Sequence, residues 1–281
     1  MVDDFEMKIT HIIRGEDHIS NTPRQILIQR AIGATEPKYA HIPLILAPDR
    51  SKLSKRHGAV SVTEYREKGY LSEAMVNFLA LIGWNPGGEK EVFTIDELEK
   101  EFLLEKVQKG GAIFNQEKLD WVNKEHIKNL PSEDTELAIK ERLPKASDEM
   151  IKKVTPVILD RISKWSDIET MGEEGEWDYF FSQPVIDVQK LVWKDDSIEN
   201  AKKHIKKVIE ILQKISEEDF SAEKIKDAVW DYATEEGRGN VLWPMRYALS
   251  GRDKSPDPFT LTQVFGKEET IKRLQVAIQK S

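Results

Sequence analysis

Pro43-Leu44-Ile45-Leu46-Ala47-Pro48-Asp49-Arg50-Ser51-Lys52-Leu53-Ser54-Lys55-Arg56 is the stretch that decides how this chain is read. Its first part is a proline-bounded apolar run of strand length, predicted over 43–47. Its second part is a polar loop in which Lys52 and Lys55 flank Ser54. Compact ammonium groups on flexible stems, with a hydroxyl and backbone N–H groups between them, suit a folded polyphosphate. A solvated surface turn has the same composition, so both readings stand on these residues alone.

Upstream, residues 7–13 (Met-Lys-Ile-Thr-His-Ile-Ile) are rich in β-branched side chains and predict a buried strand. Arg14-Gly15-Glu16-Asp17-His18 follows as a polar loop. Thr22-Pro23 predicts a helix start, with Asn21 and Thr22 as capping residues, and the helix runs to about Ile32 before Gly33. Strand, loop, helix, strand, loop is the order of an open parallel sheet, which gathers its ligands at the C-terminal ends of its strands. Arg14 sits at such an end. Its guanidinium can fork onto a substrate carboxylate or pair with neighbouring Glu16 or Asp17. Arg24 either reaches a substrate or is solvated, and His41 is either a packed polar residue or a nucleotide contact.

Downstream of Ser61 the texture becomes helical. Ser61-x-x-Glu64 and Thr94-x-x-Glu97 fit the capping box. Ala74, Met75, Phe78, Leu79 and Ile82 repeat at helical spacing, and residues 111–127 close this unit. Beyond Pro131-Ser132 the pattern predicts helices at 133–142, 148–163, 198–215, 221–236 and 267–279, with a looser stretch to about 196. Ala201, Ile205, Val208, Ile209, Leu212 and Ile215 form an apolar stripe on one of them. The expected division is 1–62, 63–130 and 131–281: a partial, Rossmann-like α/β piece followed by two mainly α-helical regions.

Composition narrows the classes. The chain has 281 residues, 33% of them charged, and a net charge of −8, which argues against diffuse binding of nucleic acid over the whole surface. Residues 1–60 nevertheless carry nine basic against seven acidic side chains, so the positive balance lies where the lysine loop lies. Without cysteine there is no disulfide or thiolate metal site, and the six histidines lack ligand-like spacing, so no structural zinc or other resident metal is expected. No apolar run approaches the roughly 20 residues of a membrane span, and the acidic N-terminus does not read as a secretory signal. A cytoplasmic location without membrane contact is expected.

The run from Ala40 to Gly58 closely resembles glutamyl-tRNA synthetase, a class I aminoacyl-tRNA synthetase, and its Lys-Leu-Ser-Lys-Arg resembles the KMSKS loop of that class. So do His11–Gln25, Phe78–Pro86 and Phe114–Asn123. The resemblance implies an enzyme that condenses ATP, as its Mg2+ complex, with L-glutamate, then passes the glutamyl group to the 3′ end of tRNA(Glu). It implies that Lys55, supported by Lys52 and Arg56, neutralises charge on the departing pyrophosphate. It also implies ATP contacts from Ser54, Lys55, Asp17, His18 and Leu46, with Arg14 on the glutamate substrate. His18 stands where some members have tryptophan.

Class I synthetases carry a second signature, His-x-Gly-His, which none of His11, His18, His41, His57, His126 or His204 begins. The expectation is therefore a C-terminal portion of the enzyme, incomplete alone, whose full-length form is a monomer. Residues 63–130 resemble the stem-contact region and, more weakly, 131–281 the helical anticodon-binding domain. Its clearest piece is Gly239–Gly251, followed by Ser255–Phe259. There the resemblance implies Arg246, Ser255 and Pro256 near the anticodon pocket. Arg161 aligns either with a reader of the third anticodon base or with an exposed helix-end arginine. A non-catalytic tRNA-binding module is the alternative. A glutamylating enzyme for a modified tRNA base lacks the helical anticodon domain, and glutaminyl-tRNA synthetase ends in β-barrels, so both fit residues 131–281 less well.

Overall fold

A computed structural model describes residues 1–54 and 61–279. The chain divides into two compact units, Met1–Leu130 and Pro131–Ser281.

The first unit opens with the short helix α1 (Val2–Glu6), then β1 (His11–Gly15), a 3-10 helix at Glu16–Asn21, α2 (Thr22–Ala31) and β2 (Lys38–Ile42). β1 and β2 pair in parallel, with Arg14 opposite His41 and Ile12 opposite Tyr39. Alternation of side chains across a strand puts Arg14, Tyr39 and His41 on one face and Ile13, Ala40 and Ile42 on the other. The first face meets α2 through Tyr39 Oη, which donates to Gln29 Oε1 at 3.0 Å. The second leaves Ile13 58% and Ile42 39% exposed. The buried strand expected at 7–13 is thus displaced to 11–15 and only half-buried. β2 escaped the sequence reading because lysine, tyrosine and histidine dilute its apolar signal.

The strand expected at 43–47 shortens to β3 (Ile45–Leu46), since Pro43 offers no N–H for a ladder. β3 pairs in parallel with β4 (Ala112–Ile113). Gly111 permits that approach, because a Cβ there would stand 2.9 Å from the Leu44 carbonyl oxygen. Between them lie α3 (Val62–Glu67), α4 (Ser72–Leu81) and α5 (Ile95–Glu101), and after them comes α6 (Gln116–Lys128). Both expected capping boxes form, at Ser61 and Thr94. α4 and α6 bury Met75, Phe78, Leu119 and Val122 with Tyr65 and Tyr70, while Trp84, Phe93 and Leu98 form a neighbouring cluster. Buried Asn77 joins the two: Oδ1 accepts from Phe93 N and lies 2.9 Å from His126 Nε2, and Nδ2 donates to the Glu91 carbonyl.

The second unit is helical: α7 (Ser132–Arg142), α8 (Asp148–Arg161), α9 (Ser166–Glu173), α10 (Asp178–Phe181), a 3-10 turn at Val188–Leu191, α11 (Ile198–Gln213), α12 (Ala222–Glu235), α13 (Arg238–Ser250) and α14 (Pro258–Gln279). Ser147, Ser197 and Ser221 cap α8, α11 and α12 through their side chains. The predicted stripe on α11 is buried from Ala201 to Leu212, against α13 and α14. α13 carries Pro244 and Gly239, residues that conceal a helix from periodicity. α14 starts earlier than expected and bends at Gly266 (φ 74°).

Candidate active-site corner and RNA-binding cavities

At the end of β1 the chain turns into the 3-10 helix, and Glu16 Oε1 there accepts from Leu44 N at 3.2 Å. That bond ties the strand end to the approach to β3. Beyond Leu46 the backbone reverses: Asp49 Oδ1 accepts from the N–H and hydroxyl of Ser51, with Arg50 left-handed at φ 65°. Leu53 N then donates to the Ile45 carbonyl at 2.9 Å, and Lys52 bridges to Leu46 in antiparallel register. The reversal carries Lys52 Nζ to 2.8 Å from Asp17 Oδ2. Both side chains face solvent, and the hydrogen bond from Lys52 holds the Asp17 carboxyl below the usual range. Lys55 and Arg56 lie outside the described residues.

Arg14 pairs with neither Glu16 nor Asp17 among the described residues. Its Nη2 donates to Thr22 Oγ1 at 2.7 Å, its Nε approaches His41 Nε2 at 3.4 Å, and its guanidinium stands 5.4 Å over the Tyr39 ring. Thr22 Oγ1 is 3.0 Å from His41 Nε2 and also reaches the His18 carbonyl. Asn21 is the N-cap of α2 but makes no side-chain cap bond, and Thr22 is the first helical residue, so neither performs the expected capping. The arginine is thus oriented by Thr22 and His41. The residue-by-residue reading missed this triad, whose signal was the parallel register placing positions 14 and 41 opposite one another. His18 is exposed, 3.5 Å from Asn21 through its ring nitrogen. Asp17, Leu46 and Lys52 are brought to one corner, and Arg14 lies three residues before Asp17 near the end of β1.

In the second unit, Arg161, Arg246, Ser255 and Pro256 line a single cavity of about 660 Å³. Sequence separates them by nearly a hundred positions; α8, α13 and the start of α14 bring them together. Arg246 donates to the carbonyls of Asp253 (2.8 Å) and Ser255 (3.3 Å) and stacks 4.7 Å over Trp243. Its first task is to shape the loop that presents Ser255 and Pro256. Burial lowers its pKa, opposed by nearby Asp253. Asp257 in the same loop caps α14, accepting from Phe259 N and Thr260 N. Arg161 is not an exposed helix-end arginine. Its Nη2 meets Glu176 Oε2 at 2.5 Å, its guanidinium lies 5.0 Å over Trp177, and its Nη1 is buried without a partner.

No group of three or more histidine, aspartate or glutamate side chains able to hold a metal occurs among the described residues, and no described helix is long and apolar enough to cross a membrane.

Residues 1–121 match the family of class I tRNA synthetases for glutamate and glutamine, catalytic domain, and residues 121–278 match an anticodon-binding domain. The chain is thus a class I synthetase polypeptide, with few strands in its catalytic portion and a helical anticodon domain. It is 41% identical over its whole length to a glutamate–tRNA ligase of Thermodesulfovibrio yellowstonii and 39% identical over 99% of it to one of Thermoanaerobacter pseudethanolicus, covering 61% and 58% of those proteins. The crystal structure of a glutamate–tRNA ligase from Elizabethkingia meningosepticum, in complex with its amino acid, superposes with a TM-score of 0.77 at 34% identity. That match covers 99% of this chain and 59% of the solved one. The chain belongs to the glutamate–tRNA ligase family, and it spans about three-fifths of the length of these relatives.

Proposed function

We propose that this chain forms the C-terminal portion of a glutamate–tRNA ligase, supplying the pyrophosphate-facing lysine loop and the RNA-holding domains. The observation that carries this reading is the corner where Lys52 reaches Asp17, three residues beyond Arg14. In this reading the guanidinium of Arg14, near the end of β1, takes the carboxylate, and the ammonium of Lys52, just beyond β3, takes phosphate, which suits attack of a carboxylate on ATP. In that reaction a glutamate carboxylate oxygen bonds to the α-phosphorus and the bond to pyrophosphate breaks. Lys52, with Lys55 and Arg56 beyond it, offsets the charge gathering on the leaving group. Lys52 exchanges Asp17 for a phosphate oxygen when MgATP enters, since an ion pair exposed to solvent in this way is weak. Ser54, His18 and Leu46 complete the nucleotide side, and Mg2+ enters as part of the nucleotide substrate. The glutamyl group then moves to the 3′ end of tRNA(Glu), held by residues 63–130 and by the cavity of Arg161, Arg246, Ser255 and Pro256.

The first unit supports the fragment reading. Ile13 and Ile42 on one sheet face, and Leu27 and Ile28 on α2, are exposed at 39–64%. Apolar surface gathered this way needs a cover, and the two-fifths of the relatives' length outside the match is its natural source. We place the complete enzyme in the cytoplasm as a monomer. The test is glutamate-dependent exchange of pyrophosphate into ATP, with tRNA(Glu) present. The purified chain is expected to be inactive, and the chain joined to the rest of a ligase active. Activity of the chain alone at enzyme-like rates would refute the proposal. Inactivity of the joined protein together with tight tRNA binding would favour a non-catalytic module.

A further inference from the structure

Helix α2 buries polar side chains where a helix against a sheet ordinarily buries apolar ones. Its buried residues are Thr22 and Gln29, seven positions and so two turns apart on one face, whereas Leu27 and Ile28 are exposed. Both buried side chains serve the Arg14 face of the sheet. Gln29 Oε1 accepts from Tyr39 Oη, and the Tyr39 ring lies 5.4 Å from the Arg14 guanidinium and parallel to the His41 ring. Thr22 Oγ1 accepts from Arg14 Nη2, and His41 Nε2 faces Arg14 Nε.

We infer that Thr22 and His41 are positioning residues for the capture of glutamate: they fill the Nε–Nη2 edge of Arg14, so that a substrate carboxylate is taken end-on, across Nη1 and the second N–H of Nη2. The inference deepens the ligase reading and rests on its assignment of Arg14 to the glutamate carboxylate.

The arrangement of donors carries the argument. A guanidinium holds five N–H groups in one plane, with a side edge at Nε and Nη2 and an end edge at Nη1 and Nη2. Thr22 Oγ1 and His41 Nε2 stand 3.0 Å apart, so together they span the side edge much as a carboxylate would. Arginine cannot accept, so His41 Nε2 presents its lone pair to Arg14 Nε. The Thr22 hydroxyl proton goes to the His18 carbonyl at 3.1 Å, which leaves Oγ1 free to accept from Nη2. One face of the plane is covered by Tyr39. Nη1 makes no hydrogen bond among the described residues. Only the end edge is left for an anion. Both acceptors are neutral, so they orient the guanidinium without cancelling its charge, which Glu16 or Asp17 on that edge would do. An arginine held beforehand also loses less freedom when substrate arrives.

The test measures glutamate-dependent pyrophosphate exchange by the chain joined to the rest of a ligase. Thr22→Val and His41→Phe keep bulk and lose an acceptor. Each is expected to raise KM for glutamate about tenfold and KM for MgATP less than twofold. Thr22→Ser and His41→Gln return an acceptor atom near the same place and should recover most of the loss. A double-mutant cycle with Arg14→Lys separates action through Arg14 from direct contact, because a single ammonium has no side edge to hold. On that background Thr22→Val and His41→Phe should add less than twofold. Full additional losses there, an equal rise in both KM values, an unchanged KM for glutamate in both single variants, or failure of both Thr22→Ser and His41→Gln to recover it would overturn the inference and leave Arg14 its role. The single variants and their recoveries decide the matter if Arg14→Lys is too slow to measure. An unchanged KM for glutamate in Arg14→Lys would overturn the assignment of Arg14 as well, and an inactive unaltered joined protein would overturn the ligase reading with both.

Discussion

Arg273→Met should destabilise the helical unit more than any exchange at its surface. Arg273 is 4% exposed on α14, with Nη1 donating to the carbonyls of Tyr179 (2.6 Å) and Leu249 (3.0 Å) and Nη2 to that of Ser182 (3.1 Å). Nε pairs with Glu269 at 2.8 Å, and the Phe265 ring packs 3.8 Å from the guanidinium. One side chain thereby satisfies carbonyls at the ends of α10 and α13, the elements that carry Tyr179 and lead into the 251–257 loop. Methionine retains most of the apolar stem contact, so the loss is chiefly polar. Breaking a buried ion pair costs about 3–5 kcal/mol. Glu269 is half-buried and keeps Gln183 and Lys272 as partners, which places the expectation toward the lower end. At about 2–4 °C per kcal/mol for a unit of this size, the thermal midpoint falls by about 10 °C. Urea unfolding followed by tryptophan fluorescence reports it, since Trp165, Trp177, Trp193, Trp230 and Trp243 all lie in this unit. Arg273→Lys should recover less than half, because an ammonium cannot reach carbonyls on two elements at once. A loss below about 1 kcal/mol for Arg273→Met would refute the assignment of this clamp.

Other expectations concern the site and the first unit. Lys52→Ala should leave the unfolding midpoint of the chain essentially unchanged, its ion pair being exposed, while slowing adenylate formation in the complete enzyme roughly 100- to 1,000-fold; a small kinetic effect in stopped-flow assays contradicts the phosphate role. His126 has its pKa lowered by burial, with Glu73 opposing. The folded state therefore binds its proton less readily than the unfolded chain, so the first unit loses stability as pH falls below about 6.5 and levels off beneath the folded pKa. Denaturation midpoints across pH 5–8 should show that slope, and His126→Gln should flatten it. Gly251→Ala combines a left-handed backbone with the Val185 carbonyl 2.7 Å away, so a cost above about 1 kcal/mol is expected by calorimetry.

Legibility followed the kind of signal. Capping boxes and the α11 stripe are local and amphipathic, and both could be read directly. α13 was hidden because Gly239 and Pro244 sit inside it, Pro244 buried where only tertiary packing rewards a helix. β2 and the displacement of β1 depended on a parallel pairing that no local pattern encodes. The same pairing set Arg14 beside His41 and Thr22 rather than against Glu16 or Asp17. Arg161, Arg246, Ser255 and Pro256 were nameable only by resemblance, and their common cavity follows from helix packing. The grip of Arg246 on the carbonyls of the 253–255 loop had no sequence signature.

Charging of tRNA(Glu) with labelled glutamate bears most directly on the central claim. Measured on the 281-residue chain beside the same chain fused to the portion of a ligase that lies outside its match to these relatives, it should show tRNA bound by both and glutamyl transfer by the fusion alone. Efficient transfer by the unfused chain, or a fusion that charges equally well after Lys52 and Lys55 are both replaced by alanine, would contradict the account.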